Sequence, residues 1–231
     1  MLKIDKTVTV SPEQLEIIME GVRNPRNSWD RMDSRIQICN GQDPEFEMGA
    51  NDWELCNSLA NAGSVHAKYR RMIPVYVTIT APLYWWKEFD TYKVGTVCNS
   101  CSTMHKIQAK EFTMDDFSHE HLFDDYSIEW QLTYTYEDCY TGDELLRHTI
   151  DVLNHHRAMF LDTKDKQYWW QMIQLLPSSY NQKRTIMLNY EVLYGIYRDR
   201  KNHKLDEWKN FCEWIEGLPY SELISLKRET N

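Results

Sequence analysis

The chain lacks any apolar run of about 18 residues, so no transmembrane helix is expected. Its first residues, MLKIDKTVTV, hold no apolar signal core, which predicts a cytoplasmic protein with no membrane partner. A basic excess is also missing. The net charge of −9 argues against binding a nucleic-acid polymer, because neutralising phosphates needs a basic surface. Neither a Walker pattern nor a Rossmann fingerprint is present, so a nucleotide would have to be held by other means. The one CxxC, Cys98 to Cys101 with His105 beyond it, has no second CxxC or HxxxH to complete a four-ligand zinc site. It also lacks the Trp-Cys-Gly-Pro context of a redox pair. No metal is expected, and the six cysteines (Cys39, Cys56, Cys98, Cys101, Cys139 and Cys212) read as cytosolic thiols. Spacing assembles no Ser-His-Asp set. Internal repeats, low-complexity stretches and linkers are absent too, which predicts one domain over residues 1–231.

What is present is a globular composition: 42% hydrophobic and 26% charged residues, values that exclude intrinsic disorder. Val8 to Val10 reads as a short strand. Ser11-Pro12-Glu13 starts a helix that ends near Asn24-Pro25, since Ser caps, Pro fits the first turn and Glu suits the dipole. Asn40 to Asn51 reads as loop, and Asp52 to Ala60 as a helix stopped at Gly63. Ile73 to Thr80 alternates, with Ile73, Val75, Val77 and Ile79 on one face, and predicts a half-buried strand. Ala81-Pro82 then opens a short helix, LYWWKEFD. Residues 111–126 read as acidic and irregular, and Ser127 to Thr135 as a second strand. Gly142 to Leu161 and Lys166 to Leu175 read as helices, and Leu176-Pro177 leads into one long helix, bent near Gly195 and ended by Pro219. The class is α+β: a small, mostly antiparallel sheet flanked by long helices.

Two segments carry chemistry. Along the predicted long helix Asn189, Arg200, His203 and Glu207 recur at offsets of eleven, three and four, which places them on one flank. A solvated helix face has that pattern too. A permanently charged, planar guanidinium beside an imidazole can alternatively bind an anionic flat ligand, with Arg200 stabilising charge on a pyrimidine. The stretch from Thr91 to His105 is rich in small polar groups around Gly95 and suits either a phosphate pocket or a polar surface loop. His155-His156 reads as a solvated pair. Trp85-Trp86 and Trp169-Trp170 read as packing or subunit contacts.

These segments resemble the flavin-dependent thymidylate synthases over roughly residues 60 to 220. That family shows Leu-Pro, then an Asn at the start of a helix, then Arg, His and an Ala-Gln-x-Glu-Ile segment; here Leu176-Pro177, Asn189, Arg200, His203 and Leu205-Asp206-Glu207-Trp208 stand in that order. It also shows a His before a strand, an Ala-Pro step, Arg-Gln-x-x-Arg-His-Arg-x-x-Ser and Asn-Glu-x-Ser-x-Arg. Here His66, Ala81-Pro82, the run Lys87 to Thr96, and Asn99-Ser100-Cys101-Ser102-Thr103-Met104 occupy those places. The resemblance implies reductive methylation of dUMP to dTMP, with FAD as cofactor and methylenetetrahydrofolate and NADPH as co-substrates. The Pro-Cys nucleophile of the classical thymidylate synthases is absent, and the resemblance implies that none is needed.

By the same resemblance Arg200 would contact uracil, and Glu88, Ser100 and Ser102 would line the nucleotide site, with Arg200 and Ser102 as the catalytic residues. His66, Thr91, Tyr92, Lys93, Asn99, Asn189 and His203 would touch FAD, in a homotetramer whose active sites are shared between subunits. The departures are that the Arg-His-Arg signature is Thr91-Tyr92-Lys93, its Gln is Glu88 and the later Arg is Met104. Lys87, Lys106, Lys183, Arg184 and Arg198 are candidate phosphate partners in their stead. Two alternatives stay open. Glu88 can accept from an exocyclic amine, which points to dCMP or another pyrimidine nucleotide. The eroded signature also fits a nucleotide-binding or assembly protein without catalysis.

Overall fold

The structure is a computed structural model that describes residues 1–38, 43–125 and 140–225. The predicted strand from Ser127 to Thr135 lies outside the described residues, as does part of the predicted loop from Asn40. Six strands are named here: β1 (Lys3–Val8), β2 (Arg35–Gln37), β3 (Glu45–Glu47), β4 (Pro74–Pro82), β5 (Val97–Ser100) and β6 (Asn181–Asn189). The helices are α1 (Pro12–Arg23), α2 (Ala50–Asn61), α3 (Leu83–Phe89), α4 (Gly142–Thr163), α5 (Lys166–Leu175), α6 (Tyr190–Arg200), α7 (Asp206–Glu216) and α8 (Glu222–Ser225). Four strands form a small, mostly antiparallel sheet in the order β1-β4-β6-β5, and β2 pairs with β3 as a separate antiparallel hairpin. The α+β class holds. The chain divides into two compact units, one of residues 1–3, 80–89 and 100–184, the other of residues 4–79, 90–99 and 185–231.

In the first unit, Trp85, Trp86 and Phe89 of α3 are fully buried. Trp86 Nε1 donates to the Gln182 carbonyl at 2.9 Å, and the Arg184 guanidinium lies 4.3 Å from its ring centre. The tryptophan pair is thus packing, as expected. Helices α4 and α5 close over Ile107, Phe112, Phe117, Leu146, Ile150, Leu153 and Met172. Thr141 caps α4 through a capping box, which matches its sequence start. His155 is exposed, but His156 is half-buried with its Nδ1 unpartnered, so the expectation of a solvated pair holds only for the first.

In the second unit, Ser11 accepts from the Gln14 amide and Gln14 answers the Ser11 amide, so α1 starts where the Ser-Pro step predicts. The α1 and α2 helices are joined by a buried ion pair, Arg23 Nε to Asp52 Oδ1 at 2.6 Å, and Asp52 also accepts from the amides of Asp33 and Ser34. Asp33 in turn caps α2 through the amides of Asn51 and Asp52. That cap lies so close that a Cβ on Gly49 would stand 2.1 Å from Asp33 Oδ1, which requires glycine there. A second buried cation, Arg70, donates from Nε to the Leu223 carbonyl of α8 and stacks 4.3 Å from the Tyr194 ring of α6.

Two expectations fail. The predicted strand at Val8 to Val10 is instead β1, several residues earlier. The predicted long helix after Leu176-Pro177 is a strand, a helix, a turn and another helix. Its first third is β6, because Gln182, Ile186 and Leu188 alternate inward with period two. Its interruption is not at Gly195, which sits inside α6, but at residues 201–205. That run, KNHKL, offers no helical core stripe, and the chain turns there. Beyond the turn Trp208, Cys212 and Ile215 are buried, Leu205 is half-buried at the N-cap of α7, and α7 ends at Glu216 before Pro219 is reached.

Candidate active site

Asn189 is the N-cap of α6: its Oδ1 accepts from the Val192 amide at 3.1 Å. The loop of residues 90–96 presses against that cap. At Gly95 φ is +81°, and an added Cβ would lie 3.1 Å from Asn189 Nδ2 and 3.2 Å from Val192 Cγ2. Gly95→Ala is expected to cost about 1–2 kcal/mol through the left-handed backbone and the crowded Asn189 amide. Urea denaturation checks it. Beside Gly95, the Thr96 hydroxyl is buried without a hydrogen-bond partner.

Arg200 closes α6. Its Nε donates to the Tyr92 hydroxyl at 3.0 Å, and its guanidinium lies 4.8 Å from the Trp208 ring centre. Trp208 is fully buried and forms the hub of this cluster, with Tyr92 and His203 edge-on to it at 6.2 and 6.3 Å. His203 stands in the turn between α6 and α7, where its amide donates to the Arg200 carbonyl and its Nδ1 accepts from the Leu205 amide. That bond puts the proton of the neutral ring on Nε2. Glu207, in the first turn of α7, is buried. The four polar residues therefore do not share one helical flank. Arg200 and His203 come together because the chain turns after α6, and Asn189 belongs to the opposite end of that helix.

Of the other residues predicted for this unit, His66, Thr91, Lys93 and Asn99 are exposed: His66 in the turn after Gly63, Thr91 and Lys93 in the 90–96 loop, Asn99 on β5. In the first unit Glu88 is half-buried on α3, Ser100 ends β5, and Ser102 is exposed. The Ser102 hydroxyl accepts from the amides of Met104 and His105, so it serves its own turn. Two candidate phosphate partners are otherwise engaged: Arg184 on Trp86 and Gln182, Arg198 in an ion pair with Asp199 at 2.8 Å. Sequence reasoning missed the role of Tyr92 as Arg200's partner and of Trp208 as the hub. The only signal was aromatic content in the right segments.

Neither buried thiol is set up as a thiolate nucleophile. Burial pushes the Cys212 thiol up to about 11, helped by the charges of Glu216 and Glu213, and burial pushes Cys56 up to about 12, helped by Asp52. Cys98 and Cys101 are exposed and form no disulfide. Iodoacetamide at pH 8 followed by peptide mass spectrometry should label Cys98 and Cys101 well before Cys56 and Cys212. Among the described residues no cluster of metal-ligating side chains occurs and no helix is long and apolar enough to cross a membrane.

By sequence the chain matches no family model and no curated protein. By structure it is similar to thymidylate synthase X from Helicobacter pylori, solved with FAD and dUMP, at TM-score 0.60 and 14% identity over 96% of this chain and 94% of that one. It is also similar to the UMP/dUMP methylase PolB from Streptomyces cacaoi, solved with 5-Br dUMP, at TM-score 0.58 and 13% identity over 98% and 94%. The chain thus has the fold of the flavin-dependent thymidylate synthases.

Proposed function

We propose that the protein is a flavin-dependent enzyme that methylates the uracil ring of dUMP, giving dTMP. The observation that carries this reading is the Arg200 guanidinium, gripped by Tyr92 and backed by Trp208, in a chain of this fold. A guanidinium carries five donors in a plane, and Tyr92 takes one of them at Nε. A planar fork of this kind suits a uracil carbonyl and an imide nitrogen, and its permanent charge stabilises the ring's ionised form. Trp208 keeps the guanidinium plane fixed, so little rotational freedom is lost when the nucleotide docks. In this reading no protein nucleophile takes part, in keeping with the burial that raises the Cys56 and Cys212 thiols.

The residues fit a flavin lying along α6. The Asn189 amide and the unpartnered Thr96 hydroxyl, at the N-terminal end of that helix, offer a donor and acceptor set for a heteroaromatic edge, and Tyr92 and His203 would meet the cofactor towards its other end. Bound FAD would supply the hydride, drawn from NADPH, and methylenetetrahydrofolate the carbon. Lys93 keeps a cation where the family's signature has its last Arg. His66, Thr91 and Asn99 complete the proposed flavin lining, and the nucleotide roles of Glu88, Ser100 and Ser102 rest on the resemblance alone. In this reading four copies assemble and share their sites.

Titrating the purified chain with FAD and following its visible absorption tests the cofactor. Saturable binding at micromolar FAD supports the reading, and no binding contradicts it. A second substrate reading is favoured by the likeness to a UMP/dUMP methylase and by half-buried Glu88, whose carboxylate can accept from an exocyclic amine. Thermal shifts with dUMP, UMP and dCMP separate these, since only a true ligand raises the apparent stability.

A further inference from the structure

Elsewhere in the second unit lies a cavity of about 600 Å³, formed by the segment that follows α1 and by one side of α2. It shares no lining residue with the Arg200 cluster. Leu55 is the one apolar residue of its wall. A wall of that kind suits a ligand with many polar groups and offers nothing to a greasy one.

The wall is built before any ligand arrives. Arg23, 4% exposed, holds Asp52 with Nε and the Arg31 carbonyl with one terminal nitrogen at 3.0 Å, which ties the loop to both helices. Asn27 adopts a left-handed φ of 46°, and Trp29 Nε1 donates to Asn24 Oδ1 at 2.8 Å, so the loop is fastened at both sides of Ser28. The charge of Arg23 is answered by Asp52. Arg26 and Arg31 line the cavity with no ion pair among the described residues, and Arg26 gives one N–H to Ser58 Oγ at 3.0 Å. Ser28 Oγ, also in the wall, is buried without a hydrogen-bond partner. A buried hydroxyl left unmade is costly, and a ligand oxygen would satisfy it. Glu54 and Asp30 stand in the same wall. Two carboxylates would repel a bare anion, yet they accept well from hydroxyls.

We propose that this cavity binds the phosphate of a small hydroxylated metabolite, of the sugar- or nucleoside-phosphate class. Arg26, Arg31 and the Ser28 hydroxyl hold the phosphate, and Glu54 and Asp30 accept from sugar hydroxyls. The volume admits a ligand of nucleotide size. The proposal does not rest on the flavin reading, because no residue of that reading is used.

Isothermal titration of the whole chain with ribose 5-phosphate tests it. Saturable binding at one site is expected, weakened about tenfold by Arg26→Gln, Arg31→Gln or Ser28→Ala and unchanged by Arg200→Ala. Both arginines are exposed, so unfolding midpoints should match the parent and a loss of binding will not be a loss of fold. Repeating the titration with saturating FAD tells the source of the phosphate: competition assigns the site to the diphosphate of a dinucleotide, independence to a separate metabolite, and either keeps the site. Binding that does not saturate, or that is equal in the parent and all three cavity variants, overturns the proposal.

Discussion

Arg200→Ala is expected to lower kcat/KM for dUMP about 100- to 1000-fold, the usual loss when a donor that meets developing charge is removed. FAD affinity should change far less, since the flavin reading places the cofactor on Asn189, Tyr92 and His203. Arg200→Lys should recover only part of the loss. Lysine keeps the charge but not the planar fork, and an ammonium cannot both lie on Trp208 and engage the Tyr92 hydroxyl at 3.0 Å. Tyr92→Phe should cost about tenfold, one hydrogen bond to a charged group. If Arg200 only braced the turn between α6 and α7, the variant would lower the unfolding midpoint and leave the activity of the folded fraction intact. Steady-state kinetics beside thermal unfolding separates the two.

The largest stability effect is expected at Asp52→Ala, about 3–5 kcal/mol, because it strands Arg23 as a buried charge and removes the acceptor of two loop amides. For a chain of this size that lowers the midpoint by roughly 6–20 °C. Arg23→Met combined with Asp52→Leu should be milder than either partner's removal alone, because no charge is left uncompensated. Guanidinium denaturation of the three variants checks the ordering. A double variant worse than Asp52→Ala would mean that the pair's hydrogen bonds to Arg31 and Ser34, not the buried charge, dominate.

Local physics made part of this fold legible. Ser11-Pro12-Glu13 announces α1 because capping chemistry is confined to a few neighbouring residues. The alternation of Val75, Val77 and Ile79 announces β4, because one face must be dry. The Ala81-Pro82 step marks where β4 gives way to α3, and α5 runs from Lys166 to Leu175 as read.

The C-terminal stretch was misread, since Arg200, His203 and Glu207 mimic a helical period by chance. The quieter alternation of Gln182, Ile186 and Leu188 carries the strand. The site's residues were legible only in name. That Tyr92 would meet Arg200, 108 positions away, is a long-range contact that no local pattern encodes. Ser102 shows the opposite case: a hydroxyl in a promising loop is taken up by its own turn. The cavity at Arg26, Ser28 and Arg31 left only a cluster of arginines around Asn24-Pro25 as its trace in the sequence.

The most direct measurement is the release of tritium from C5 of labelled dUMP by the purified chain supplied with FAD, NADPH and methylenetetrahydrofolate. The account predicts release that depends on all four components and is lost in Arg200→Ala. No release from the parent above a protein-free control, in a preparation shown to bind both FAD and dUMP, would contradict it.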